Sequence, residues 1–408
     1  MLVLVYGGIP PSFRGIQAYE NTLPQHNWSK GVESKLSGAY DEKYLSFPDH
    51  MWGHGFNNIL QEILLTSYVA YATNRTFVFD DYVWSHLPTP YTLYDFALRP
   101  THIPLNAFIS GPSAGGDVPT SMHRAISTDY FEYICPPKSR VSITYSSSSV
   151  GEEANGVDIV NWWRKRLNED DVRHISCLQI REEKSRVFDA NFFGSPRILP
   201  LFPDLRDSPI LANFTWSPLI NSALQKTVTH LFSSTHTSNH IAPGVIAIHL
   251  RRGDYKRHCL RLAKWGSTYM GFNQFDGLVD SFDSNSTVDE YLQHCLPTIP
   301  QIVHRLNEIR AEYPSPLTQV YIMTNAWPSY ISTLSSALQA DRWKSVSSTP
   351  DIDSFLNPEQ RLVNVAVDMA LAVDKAEVFV GNGFSSLTAN VVMLRMAKGF
   401  PARSNRFL

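Results

Sequence analysis

Long apolar runs are missing from this chain. None of its 408 residues fall in an uninterrupted apolar stretch of about eighteen, the length a membrane-spanning helix needs. Charge is sparse as well, at 18% of residues with a net charge of −3. That balance leaves no concentrated basic face and excludes a nucleic-acid footprint. Cysteine is scarce, four in all, and none of the four has the C-x-x-C spacing of a zinc site. The opening Met1–Tyr6 is too short, and too poor in basic residues, to be a signal peptide. Taken alone, these absences describe a cytosolic globular protein long enough for two domains.

Two features point elsewhere. The cysteines are even in number, and pairing each with its neighbour (Cys135 with Cys177, Cys259 with Cys295) closes two loops of about forty residues, worth a few kcal/mol each. Four N-x-S/T sequons, at Asn27, Asn74, Asn213 and Asn285, accompany them. Together they lead to the expectation of a secretory-pathway protein of the ER or Golgi lumen, attached to a membrane only through an N-terminal anchor outside this sequence.

The most informative stretch is Val245–Tyr255. Val245–Leu250, apolar but for His249 and with three β-branched residues, reads as a strand buried on both faces, and the run ends abruptly in His249, Arg251, Arg252 and Asp254. Open α/β sheets bind ligands beyond the carboxyl ends of their strands. Adjacent guanidiniums there suit a diphosphate, since each stays charged and binds oxyanions through a fork; a salt-bridged strand end is the plain alternative. Of the two, Arg252 is expected to be structural, paired with an acid.

Residues 1–42 read as a partly ordered stem. A strand at 44–47, the glycine turn at 53–55, a helix over 59–72 and a strand at 76–79 then form a βαβ unit. The turn serves either as a tight bend or as an anion cradle at a helix N-terminus, and Asn57 and Asn58 are possible caps. Proline-rich residues 84–125 read as a long loop, and a Ser/Thr run near 236 as the boundary between domains 43–236 and 237–408. Beyond it the pattern predicts a helix over 288–312, a strand at 319–324, a helix from Asn357 to about Val373 that carries Asp368, and a strand at 377–380. The last strand breaks into Gly381–Thr388, where a glycine turn and three hydroxyls precede a helix. Asp351-x-Asp353 has the form of a metal-binding D-x-D, but in a Ser/Thr/Pro loop it reads as chance.

Three blocks, Gly53-x-Gly55-Phe56-Asn57, His249-x-Arg251-Arg252-Gly253-Asp254 and Val367-Asp368 leading to Phe379–Thr388, give the chain a resemblance to the fucosyltransferase superfamily. It most resembles the fungal proteins similar to protein O-fucosyltransferases. The resemblance implies a GT-B-like α/β fold, two Rossmann-type domains with parallel sheets facing across a cleft. It further implies GDP-fucose as donor, inversion at the anomeric carbon and no metal or cofactor. Arg251 would stabilise the departing diphosphate. Asn57, Gly55 and Phe56 would approach the donor from the first domain; His249, Asp254, Ser385, Ser386 and Thr388 would hold it from the second, with Asp368 either reading the guanine or supporting its pocket. The first block departs from relatives that carry a Glu as proposed base where this chain has His54, so His54 is either the base or a turn residue. The acceptor implied is a protein Ser/Thr hydroxyl. The alternatives are a glycan extended by an α1,2- or α1,6-like enzyme, or a sugar-nucleotide-binding protein without turnover. Loops near 84–125 and 259–285 are expected to form the acceptor surface.

Overall fold

The computed structural model describes residues 10–29, 42–48, 55–94, 97–145, 149–182, 186–232, 241–253 and 255–408. The chain divides into two compact units, one of residues 1–192 and 197–219, the other of 193–196 and 220–408. Each is built on a five-stranded parallel sheet.

In the first unit the strands are β1 (Tyr44–Ser46), β2 (Thr76–Phe79), β3 (Ile126–Ser127), β4 (Val141–Tyr145) and β5 (Cys177–Glu182), in the order β3-β2-β1-β5-β4, all parallel. Helix α1 (Arg14–Asn21) precedes them, and α2 (Phe56–Ala72) makes the crossover from β1 to β2. Thirteen of the seventeen residues of α2 are buried. A helix apolar nearly all round is a core helix, so its faint amphipathicity is expected. Residues 10–29, expected as stem, pack onto this unit: Phe13 and Leu23 are buried, and the Gln25 amide donates to the carbonyls of Gly115 and Ala125.

The expected loop 84–125 is instead threaded into the fold. It contributes an antiparallel hairpin, Tyr91–Tyr94 with Ala97–Pro100, and buries Leu105, Ala107, Phe108, Ile109 and Ala114. Pro100 closes a strand and Pro104 and Pro112 start 3-10 turns, while Pro88, Pro90 and Pro119 are exposed.

The second unit begins with helix α3 (Pro218–Leu231), which the contacts assign to it almost entirely. The Lys226 ammonium donates to Gln360 at 3.0 Å and His230 stacks on Phe355 at 4.3 Å. The division therefore falls upstream of 236, and the Ser/Thr run itself lies outside the described residues. The sheet strands are β6 (Ala242–Leu250), β7 (Gln319–Thr324), β8 (Ser345–Ser348), β9 (Ala376–Gly381) and β10 (Asn405–Phe407), in the order β8-β7-β6-β9-β10. Strand β6 is central, flanked in parallel by β7 (Val245 opposite Gln319 through Leu250 opposite Thr324) and β9. Seven consecutive residues of β6, from Gly244, are buried, as a strand covered on both faces requires.

The order, 3-2-1-4-5 in chain sequence, is that of a doubly wound Rossmann-type sheet, with its reversal between β6 and β9. The helix expected over 288–312 is two, α4 (Val288–Cys295) and α5 (Ile299–Glu312), because Thr298 and Gln301 form a capping box that restarts the chain after Pro297. The helix from Asn357 likewise breaks at Val363, giving Pro358–Leu362 and α6 (Asn364–Asp374); Asn357 caps the first as the sequence predicts. Both disulfides form as expected, Cys135–Cys177 and Cys259–Cys295. Among the described residues no helix is long and apolar enough to cross a membrane.

Candidate active site

The second and third blocks of sequence meet at the reversal point of the second sheet. Strand β6 delivers His249 and Arg251. Strand β9 ends at Gly381 and turns into helix α7 (Ser386–Ala397), whose N-cap is Ser385. The His249 Nδ1 and the Thr388 Oγ1 lie 3.0 Å apart, both buried, which ties the two turns together. Burial, reinforced by the nearby Arg251 charge, pushes the imidazole down to about 3, so His249 is neutral throughout the physiological range. Thr388 is fully enclosed and engaged with His249, so the expected phosphate contact is not the one its hydroxyl makes. Ser385 accepts from the Leu387 N–H at 3.3 Å, while Ser386 stands half-buried at the first helical position.

Arg251 is exposed, its guanidinium 5.4 Å from the centre of the Tyr255 ring. Arg252 differs from expectation. Its partners are the Pro297 carbonyl at 2.5 Å and the face of Tyr330 at 4.6 Å rather than an acid, and its backbone N–H donates to Asn325 Oδ1. It is structural all the same. Asp254 lies outside the described residues.

Asp368, on α6, is only 5% exposed. One carboxyl oxygen accepts from the Tyr321 hydroxyl at 2.5 Å and the other from Thr349 at 2.8 Å. Burial raises the group to about 7 against the lowering effect of those bonds. With both oxygens so occupied, Asp368 supports the floor beneath β7 and β8 and is not placed to read a base through a free oxygen. Tyr321 and Thr349 were missed from sequence; a lone tyrosine in the apolar run Val320–Met323 was the available signal, since a buried phenol needs a partner.

In the first unit, Gly55 is the N-cap of α2, exposed, with none of the described residues within 4 Å of where a Cβ would stand. Asn57 follows at the second helical position, half-buried, so neither it nor Asn58 is the cap. Phe56 is core. It stacks on Phe108 at 3.9 Å and meets Tyr82 edge-on, leaving no free ring face for the expected donor contact. His54 lies outside the described residues. The D-x-D pair has local partners: Asp351 accepts from the Ser348 N–H and hydroxyl in a capping box, and Asp353 accepts from Asn364.

The strand end that leads into exposed Arg251 is thus tied, through His249 and Thr388, to a helix N-terminus at the reversal point of the sheet, the place where open α/β sheets take ligands. The sequence profile of the GDP-fucose protein O-fucosyltransferases matches residues 44–398, which include all three blocks. The chain belongs to the GDP-fucose protein O-fucosyltransferase family. It is therefore a member of a family of GDP-fucose-dependent transferases. Its fold is similar to that of POFUT1 in complex with GDP-fucose, with a TM-score of 0.58 at 16% identity over 90% of this chain and 99% of that one. POFUT1 in complex with GDP gives 0.53 at 15% identity over the same shares. No curated protein sequence matches significantly. The two parallel sheets are thus those of the family's GT-B-like fold.

Within the family's third block, Gly383 is fixed by packing. A Cβ there would lie 2.3 Å from the Tyr269 ring, while the Gly383 carbonyl accepts from Asn273 and from the Met270 N–H. Tyr269, with Phe282, Phe384 and Phe407, forms an aromatic cluster behind the turn. Part of the segment 259–285, expected to be acceptor surface, is therefore the backing of the turn.

Proposed function

We propose that this chain is an inverting, metal-independent O-fucosyltransferase that moves fucose from GDP-fucose to a Ser or Thr hydroxyl of a protein. The observation that supports the donor side is the 3.0 Å contact of His249 with Thr388, which joins the strand end leading into Arg251 to the first turn of the helix that Ser385 caps, at the reversal point of the sheet. In the reaction the bond from the sugar C1 to the β-phosphate oxygen breaks as the acceptor oxygen attacks from the opposite face, and negative charge accumulates on GDP. An exposed, permanently charged guanidinium at that oxygen stabilises what develops in the transition state more than what was bound. Ser385, Ser386 and the first N–H groups of α7 hold phosphate oxygens. Thr388 fixes the His249 ring, leaving its other nitrogen for the ligand. Asp368 acts through Tyr321 and Thr349 on the shape of the nucleotide pocket. From the first unit, Gly55 offers open backbone and Asn57 a polar group to the donor. Asp254 steadies the arginine turn, and His54 is the acceptor-side base to test. Two disulfides are the chemistry of an oxidising compartment, which supports the ER or Golgi lumen.

The test is calorimetry with GDP-fucose, GDP-mannose, GDP and UDP-N-acetylglucosamine in chelated buffer. Selective binding of the guanosine nucleotides is expected. Equal binding of the uridine nucleotide, or binding only when a divalent ion is restored, overturns the reading. Mass spectrometry of the product linkage separates protein from glycan acceptors.

A further inference from the structure

The two disulfides are alike in loop length, with sequence separations of 42 and 36. On a chain-entropy argument they stabilise the fold comparably. Their positions differ. Cys177 is the first residue of β5, at the amino edge of its sheet and away from the end where ligands bind. Cys259 lies one turn into the helix Tyr255–Trp265 that leaves the arginine turn, and Cys295 ends α4.

From Cys295 a continuous path of contacts runs back to Arg251. The Cys295 carbonyl accepts from the Asn382 amide at 2.6 Å, and Asn382 is fully buried. The same side chain accepts from the Phe384 N–H at 3.0 Å. The Phe384 carbonyl accepts from the Tyr255 hydroxyl at 3.4 Å, and the Tyr255 ring carries the Arg251 guanidinium. Cys259, four residues after Tyr255 and thus on the same helix face, closes the circuit through sulfur. Two residues past Cys295, the Pro297 carbonyl holds Arg252.

We infer that the Cys259–Cys295 disulfide is a positioning element of the anion site, locking the arginine turn and the Asn382–Ser386 turn into one rigid frame, whereas Cys135–Cys177 serves stability alone. A hydrogen-bonded turn cross-linked at its base keeps its donors aimed without reorganising when charge arrives, which is what preorganisation requires. Tyr255 and Asn382 are positioning residues in the same frame. The inference rests on the donor reading above.

The experiment compares two double variants of the full chain, C259A/C295A and C135A/C177A, by melting temperature and by calorimetric titration with GDP and with guanosine, which lacks the phosphates. Both variants are expected to melt lower by similar amounts. C259A/C295A loses affinity for GDP by about tenfold to a hundredfold, the size of a positioning error near 1 Å, and keeps its affinity for guanosine. C135A/C177A stays within about twofold of wild type for both ligands, as distant substitutions do. If the two variants bind GDP alike, or if C259A/C295A loses guanosine as steeply as GDP, the inference is wrong. Should C259A/C295A not fold, Asn382→Ala with the bridge intact asks the same question: a selective loss for GDP supports the frame, and wild-type binding sinks it. A wild-type chain that binds no GDP at all overturns the donor reading itself, a separate result.

Discussion

The carboxyl edges of the two sheets differ in their ionisable side chains. Strand β2 of the first unit runs into Asp80 and Asp81; strand β6 of the second runs into Arg251 and Arg252. Around the first edge, burial and neighbouring acids hold Asp81 up to about 7 and the buried Glu20 up to about 8. Around the second, burial and a neighbouring cation hold His249 down to about 3. The backbone plan is nearly shared, a central β1 or β6 with two strands on either side, so architecture does not decide which unit binds the donor. Under the proposed function a handful of residues past the strand ends does, and the second edge, with its two arginines, is the one suited to a diphosphate.

The sharpest way to break that contrast is Arg251→Ala. Transfer is expected to fall about 10²–10³-fold, the scale for losing a preorganised donor to a developing oxyanion, with the melting temperature unchanged; wild-type turnover in this variant would remove the second edge from the chemistry. Next in size is Gly383→Ala, where the new methyl meets the Tyr269 ring at 2.3 Å. A cost of about 1–3 kcal/mol is expected for such overpacking, read by urea denaturation, and a neutral result would show the turn to be soft.

The titrating groups give the contrast a pH signature. Glu20 and Asp81 have folded values raised above their unfolded ones, so the stability they lend is complete below about pH 4 and is lost as pH rises toward 7–8. His249 has a folded value depressed below its unfolded one, so its stability is complete above about pH 6.5 and is lost as pH falls toward 3. Asp368, in the second unit, shares the sign of the first. Each full proton of difference gives a slope of about 1.4 kcal/mol per pH unit. Denaturation of Glu20→Gln against pH is expected to flatten the loss that accompanies a rise from about pH 4.5 to 8, and His249→Gln the loss that accompanies a fall from about pH 6.5 to 3; exchanged effects would mean the two groups are misassigned. The smallest expected change is Gly55→Ala. With φ at −68° and open space around it, the added methyl costs only the cap preference, about half a kcal/mol. A large fall in GDP affinity in that variant, without a stability change, would assign the open space at the first helix start to the ligand.

Much of the second unit was legible because its strands are continuous apolar runs bounded by turn residues. Val245–Leu250, Gln319–Thr324 and Glu377–Val380 could be read without a partner in view. What escaped was long-range. His249 and Thr388 are 139 positions apart, and Asp368 meets Tyr321 across 47; nothing in either neighbourhood names the other. Periodicity carried two helices straight through Pro297 and Val363, although the cap signal Thr298-x-x-Gln301 was there to be weighed. Residues 84–125 were misjudged because proline frequency says where a chain turns and not whether it turns inside the core. Phe56 was assigned to the ligand by its motif neighbours, whereas its ring is spent on Phe108.

The bridges also bear on how the chain is made. Of the three pairings four cysteines allow, the one observed joins each cysteine to the next along the sequence. During synthesis Cys177 follows Cys135 before Cys259 is made, so this connectivity is compatible with each bridge closing in chain order, domain by domain.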